Sequence, residues 1–169
     1  MGAMSDVAIR RARPEDLADL TEIYNHYVIH TAITFDVEPY TPETRKPWLE
    51  QFADGGRHQL FVAESAGRVI GYAGSMRFRP KAAYETSVET TIYLRPDHTA
   101  RGLGGRLYAR LFEAIRGEDV HRMYAGITQP NDASNQLHAR LGFREVGRYG
   151  EVGRKLGRYW DVLWMERNV

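Results

Sequence analysis

The residues from Ser87 to Ile115, SVETTIYLRPDHTARGLGGRLYARLFEAI, constrain the fold more than any other stretch. A β-branched run leads into a polar turn, the turn into glycines, and the glycines into an apolar pattern of helical period. Leu103, Leu107, Leu111 and Ile115 recur at four-residue spacing, with Tyr108 and Phe112 beside them. That predicts a helix packed by one face on a sheet. The glycines fall at its N-terminus, where backbone N–H groups lack intrahelical partners and the dipole is positive. Glycine lets a ligand approach the backbone closely, so the turn suits an anion, a phosphate above all. Two familiar phosphate loops are excluded. No Gly-Lys-Ser/Thr follows, and Leu107 stands where the dinucleotide fingerprint places its third glycine. Gly102 and Gly104 alone fit equally well a helix start that tolerates glycine.

The flanking sequence supplies the rest of the sheet. Val7 to Arg11 reads as a short strand, and Pro14 as the first residue of a helix carrying Leu17, Leu20, Ile23, Tyr24 and Tyr27. Thr31 to Phe35 reads as an extended connection. Thr41-Pro42-Glu43 opens a second helix, which Pro47 is expected to interrupt or delay. QLFVAES and RVIGYAGSMRF are strands joined in a hairpin at Ser65-Ala66-Gly67. SVETTIYL is the central strand, and HRMYAGI another. A helix from Asn131 or Asp132 to Leu141 ends at Gly142. FREVGRY and RYWDVLWME are the last strands. The order β-α-α-β-β-β-α-β-α-β-β, with hairpins and helical crossovers mixed, predicts an α/β fold on a mixed sheet.

Composition removes several function classes. The 169 residues fit one domain, placed at 4–169, because Met1, Gly2 and Ala3 ahead of Met4 read as a cloning remnant. A net charge of +1 with scattered arginines gives no field for nucleic acid. With no cysteine there is no disulfide scaffold, thiolate metal site or cysteine nucleophile. His26 and His30 have a metal-compatible spacing but no glutamate base between them, so no metal is expected. No run is long enough to span a membrane and no signal peptide is visible, which makes the cytoplasm the expected location.

One carboxylate stands out. Alternation puts Val88, Thr90, Ile92 and Leu94 on one face of the central strand and Glu89, Thr91 and Tyr93 on the other. A glutamate inside such a strand is either an edge charge or a cavity-lining group. Partial burial would raise its pKa toward the working range of a general base.

The glycine turn resembles motif A of the GNAT acetyltransferases, Gln/Arg-x-x-Gly-x-Gly/Ala, which cradles the coenzyme A pyrophosphate. Gly102 and Gly104 match it, and Thr99 departs from its leading Gln/Arg. IYNHYV, TAITF, FRP…AY, SVETTIYL, QPND, LHARLGF and YWDVLWM together resemble the phosphinothricin N-acetyltransferase group, over Ile9 to Met165. The resemblance implies a twisted, mostly antiparallel sheet splayed at its middle, with acetyl-CoA inserted in the splay, and a homodimer. It implies cofactor contacts from Ile92, Tyr93 and Leu94, from the turn residues Thr99, Ala100, Arg101, Gly102, Leu103, Gly104, Gly105 and Arg106, and from Asn131 on the pantetheine arm. It implies Glu89 as general base acting on the amine of a small amino-acid-like acceptor, in a ternary complex.

His138 occupies a position where many GNAT enzymes carry a tyrosine acid. A thiol pKa of roughly 8.5 makes the thiolate a good leaving group, so packing or hydrogen bonding is the expected role of His138. The resemblance further implies that Arg79 holds the acceptor carboxylate and that Phe35 and Tyr84 shape the acceptor pocket. Trp160 stands where some members of the group carry histidine. The alternative readings are acetylation of protein N-termini or polyamines, and a coenzyme A-binding module without turnover.

Overall fold

The computed structural model describes residues 7–99 and 102–169. Seven strands form one sheet: β1 (Ala8–Arg11), β2 (Leu60–Ser65), β3 (Arg68–Arg77), β4 (Ser87–Leu94), β5 (Arg122–Gln129), β6 (Arg144–Lys155) and β7 (Arg158–Asn168). Four helices flank it: α1 (Leu17–His30), α2 (Pro42–Leu49), α3 (Leu103–Ile115) and α4 (Asp132–Arg140). The spatial order is β1-β2-β3-β4-β5-β7-β6, and only the β4–β5 pairing is parallel.

Local chemistry accounts for most boundaries. Ala66 and Gly67 both take positive φ, 49° and 74°, as a two-residue hairpin turn between β2 and β3 requires. Leu156 and Gly157 do the same between β6 and β7, with φ of 51° and 76°. Thr41 caps α2, its hydroxyl accepting from the Thr44 N–H at 3.2 Å. The expected break at Pro47 does not occur. α2 runs unbroken from Pro42 to Leu49 because Pro47 lies near its end and costs the short helix little backbone pairing. The Thr31–Phe35 segment is a series of bends between α1 and α2 and forms no strand.

The two faces of the sheet bury separate cores. Leu103, Leu107, Tyr108, Leu111, Phe112 and Ile115 of α3 pack on Phe61, Ala73, Val88 and Met123, as their spacing predicted. Leu20 and Ile23 of α1 cover Leu60, Val62, Val69 and Tyr72 on the opposite face, joined by Trp48 and Phe52. Leu107 is completely buried. Leu107→Ala should therefore lower unfolding free energy by about 2–5 kcal/mol in urea titration. A change under 1 kcal/mol would mean that α3 does not anchor the sheet.

The parallel pairing positions the site. Only Ser87, Val88 and Glu89 of β4 pair with β5, at Arg122, Met123 and Tyr124. Beyond Glu89 the strands diverge, while β4 stays paired with β3 as far as Leu94. The sheet is forked at its centre, and Glu89 is the last paired residue before the fork.

Candidate active site

A cavity of about 560 Å³ fills the fork. Every residue from Glu89 to Tyr93 of β4 and from Ala125 to Thr128 of β5 lines it, because both faces of each strand border the gap at a fork. Alternation sets Glu89 apart from the buried Val88, and the fork gives it a cavity to look into. The Glu89 carboxylate has neither an ion pair nor a side-chain hydrogen bond among the described residues. Desolvation raises its pKa above the ordinary carboxylate range, and the charge of Arg79 opposes part of that rise.

The fork also frees backbone donors. Arg95 donates its N–H to Ile70 of β3 at 2.8 Å, so alternation turns the N–H groups of Ile92 and Leu94 the other way, toward the gap left by β5. Tyr93, by the same parity, points its N–H at Tyr72. Of the strand residues implied by the resemblance, Ile92 and Leu94 are thus the ones with free donors facing the gap.

At the glycine turn, Gly102 is the N-cap of α3 and adopts φ 71°, which glycine favours over any other residue. Gly104 is packed. A Cβ there would lie 3.1 Å from Leu137 and 3.3 Å from Ile92. A Cβ at Gly105 would meet nothing within 4 Å. Leu103 is buried in the core, and Arg106 reaches the Val7 carbonyl at 2.9 Å. Thr99 is exposed, its hydroxyl donating to the Pro96 carbonyl at 3.2 Å. Ala100 and Arg101 lie outside the described residues.

Asn131 caps α4, its Oδ1 accepting from the Ser134 N–H at 3.2 Å, and it lines the cavity with His138. Its amide N–H groups are left to donate. His138 is wired differently. Nδ1 lies 2.8 Å from the Ser134 carbonyl, which can only accept, so Nδ1 carries the proton. Nε2 then accepts from the Tyr108 hydroxyl at 3.1 Å. Burial holds the His138 pKa down, so the ring is neutral and has no spare proton facing the cavity. This wiring suits a ring that fixes Tyr108 against Thr90 better than one that protonates a thiolate.

One wall of the cavity is lined from α1, α2 and the segment between them. Phe35 lines the cavity and lies over Gly153, where any Cβ would collide with its ring. Lys155 donates to the Thr34 carbonyl at 2.8 Å, so the β6–β7 hairpin holds this wall in place. Trp160 serves the same hairpin, its indole donating to the Lys155 carbonyl at 2.8 Å. Arg79 is exposed and not among the residues lining the cavity, its guanidinium 4.8 Å from the Phe78 ring and 5.8 Å from that of Trp164. Tyr84 is also exposed and packs edge-on against Phe78, outside the cavity. Arg45, Tyr72 and Trp164 line the cavity although the sequence singled out none of them. An arginine inside TPETRKPWL reads as a solvated helix residue, and the two aromatics read as core.

The model of the acetyltransferase (GNAT) domain matches residues 9–164. The chain belongs to the GNAT acetyltransferases. This acetyltransferase is 56% identical over 169 residues to the phosphinothricin N-acetyltransferase of Streptomyces coelicolor, covering 99% of each chain. It is 36% identical over 162 residues to the L-methionine sulfoximine/L-methionine sulfone acetyltransferase of Pseudomonas aeruginosa, covering 96% of this chain and 94% of that one. Among solved structures it matches the phosphinothricin acetyltransferase of Sinorhizobium meliloti in complex with AcCoA at TM-score 0.91 and 31% identity. That match covers 97% of this chain and 89% of the other. The forked sheet is thus the GNAT fold, as the sequence implied. Among the described residues no cluster of His, Cys, Asp and Glu could hold a metal ion, and no helix is long and apolar enough to cross a membrane.

Proposed function

We propose that this acetyltransferase moves the acetyl group of acetyl-CoA to the α-amine of a small amino-acid-like acceptor of the phosphinothricin, methionine sulfoximine or methionine sulfone type. The observation that carries the reading is Glu89: a carboxylate at the fork of the sheet, facing the cavity, free of partners, with its pKa raised by burial. The relatives named above support the acceptor class.

The residues present fit acetyl-CoA. Backbone N–H groups at the start of α3 and the open space beside Gly105 suit the pyrophosphate, and the Asn131 amide suits the pantetheine arm. The bound thioester supplies an activated carbonyl carbon. Glu89 takes a proton from the acceptor ammonium, directly or through a water, and leaves a lone pair for attack on that carbon. The Leu94 and Ile92 N–H groups face the gap where negative charge grows on the carbonyl oxygen. As the new C–N bond forms and the C–S bond breaks, the sulfur leaves with the electron pair, and the second amine proton passes to that sulfur or to solvent, because Glu89 already holds the first. Direct attack is the simplest route, since a chain without cysteine cannot form a cysteinyl acetyl-enzyme.

Thiol release tests the reading without background, because the protein contributes no thiol of its own. Acetyl-CoA with phosphinothricin, methionine sulfoximine or methionine sulfone should release coenzyme A well above the rate without acceptor. Faster release with N-terminal peptides or spermidine would replace the acceptor class. No release with any amine would favour a binding module.

A further inference from the structure

Arg45 is an anomaly in the cavity wall. It is 4% exposed, yet its guanidinium pairs with no carboxylate among the described residues. Aromatic rings hold it instead, with Cζ 3.6 Å from the Tyr24 ring centroid, 4.1 Å from Trp48 and 5.1 Å from Tyr40. Ring faces attract the charge but cannot take up the N–H donors. Nε has no hydrogen-bond partner. Asp36, the acid on the same wall, accepts from the Tyr24 and Tyr40 hydroxyls at 2.6 and 3.1 Å and makes no ion pair with Arg45.

Two neighbours share the condition. The Tyr72 hydroxyl and the Trp164 indole N–H are buried without partners. These three groups are all of the partnerless buried side-chain polar groups found among the described residues, and all three residues line the one cavity. A buried cation without a counter-charge is costly, and so is each orphaned donor. Trp164 lies by Arg79, whereas Arg45 lies by Tyr72, and the Arg45–Tyr72 pair describes a receptor for acceptor atoms that arrive with a ligand.

Position within the cavity indicates which oxygens. The charge of Arg79 acts on Glu89, whereas that of Arg45 acts on the phenols of Tyr72 and Tyr93, further along the sheet. The α-carboxylate of an amino acid shares its carbon with the amine, so it stays near Glu89. The oxygens at Arg45 must belong to the other end of the acceptor.

We propose that Arg45 receives the anionic or strongly dipolar tail oxygens of the acceptor, a phosphinate, sulfoximine or sulfone. Two of its N–H groups would grip two acceptor atoms in parallel, the two oxygens of a phosphinate or sulfone or the oxygen and nitrogen of a sulfoximine, with the Tyr72 hydroxyl as a further donor. This inference rests on the acceptor class proposed above and adds the part of the site that reads the tail.

The test compares phosphinothricin and methionine sulfone with methionine and norleucine, which have similar chains without tail oxygens. Wild-type kcat/KM should favour the oxygenated pair by tenfold or more. Arg45→Met, checked for folding by circular dichroism, should erase that preference, chiefly through KM, and Arg45→Lys should keep part of it. No preference in the wild type overturns the proposal, and that arm stands even if Arg45→Met fails to fold. An undiminished preference in folded Arg45→Met overturns it too. So does an equal loss for all four acceptors, which would assign the guanidinium to the α-carboxylate or to packing. If the wild type turns over none of the four, the acceptor class fails separately. Titration with dimethylphosphinate then decides for Arg45: binding by wild type that Arg45→Met lacks upholds the receptor, and absence of binding by wild type overturns it.

Discussion

Glu89→Gln should lower kcat by about a hundred- to ten-thousand-fold at neutral pH, the usual worth of a positioned general base. The substitution keeps the shape of a side chain that has no described partner to lose, so the fold should be unaffected. The pH dependence separates chemistry from packing. Burial holds the Glu89 pKa above the ordinary carboxylate range, so the wild-type kcat/KM should fall on the acid side at a higher pH than an exposed glutamate would give. Below that pKa Glu89 is protonated and cannot take the amine proton. Glu89→Gln should lack this limb and should instead gain rate as pH rises, because the acceptor amine then deprotonates unaided. Acetyl-CoA affinity should change little. A kcat that matches wild type across the whole profile would reduce Glu89 to a charge on a strand.

This carboxylate shows both the reach and the limit of the sequence. Alternation within SVETTIYL separates Glu89 from the core-facing Val88, and the structure agrees there, while Thr90 and Ile92, on the same face as Val88, also reach the cavity. Alternation is local, so it is legible. What makes Glu89 useful is that β4 and β5 part company one residue later, and no residue in either strand encodes that alone. The order of elements was readable for similar local reasons: amphipathic spacing in α3, a cap at Asn131, positive φ at Gly67 and Gly142. The β6–β7 hairpin was readable only in part. Its turn is Leu156-Gly157, without the usual Asn or Asp signal, and β6 runs on to Lys155, well past the FREVGRY segment. Arg45 was not legible at all. On a helical wheel it is one more polar residue, and only the tertiary meeting of α1, α2 and the segment joining them surrounds it with rings.

Gly105→Val should weaken acetyl-CoA binding by about a hundredfold or more, while leaving the fold and its thermal midpoint close to wild type. The three glycines of the turn differ in what a substitution there would report. At Gly102 any side chain meets the strain of φ 71°, roughly 1–2 kcal/mol, whatever it does to a ligand. At Gly104 a side chain presses on Leu137 and Ile92, so lost binding could not be told from a displaced α3. At Gly105 a Cβ enters open space, and valine forms helix at least as well as glycine. The cost of Gly105→Val should therefore fall on whatever occupies that space. Charge-assisted hydrogen bonds are worth about 1.5–3 kcal/mol each, so keeping a pyrophosphate from two backbone N–H groups accounts for a loss of that size. Calorimetry with acetyl-CoA measures it directly, and Gly105→Ala, with a smaller intrusion, should fall between. Wild-type affinity in a folded Gly105→Val protein would move the pyrophosphate off this turn. The proposed catalysis would then need a different way to bring the thioester to Glu89.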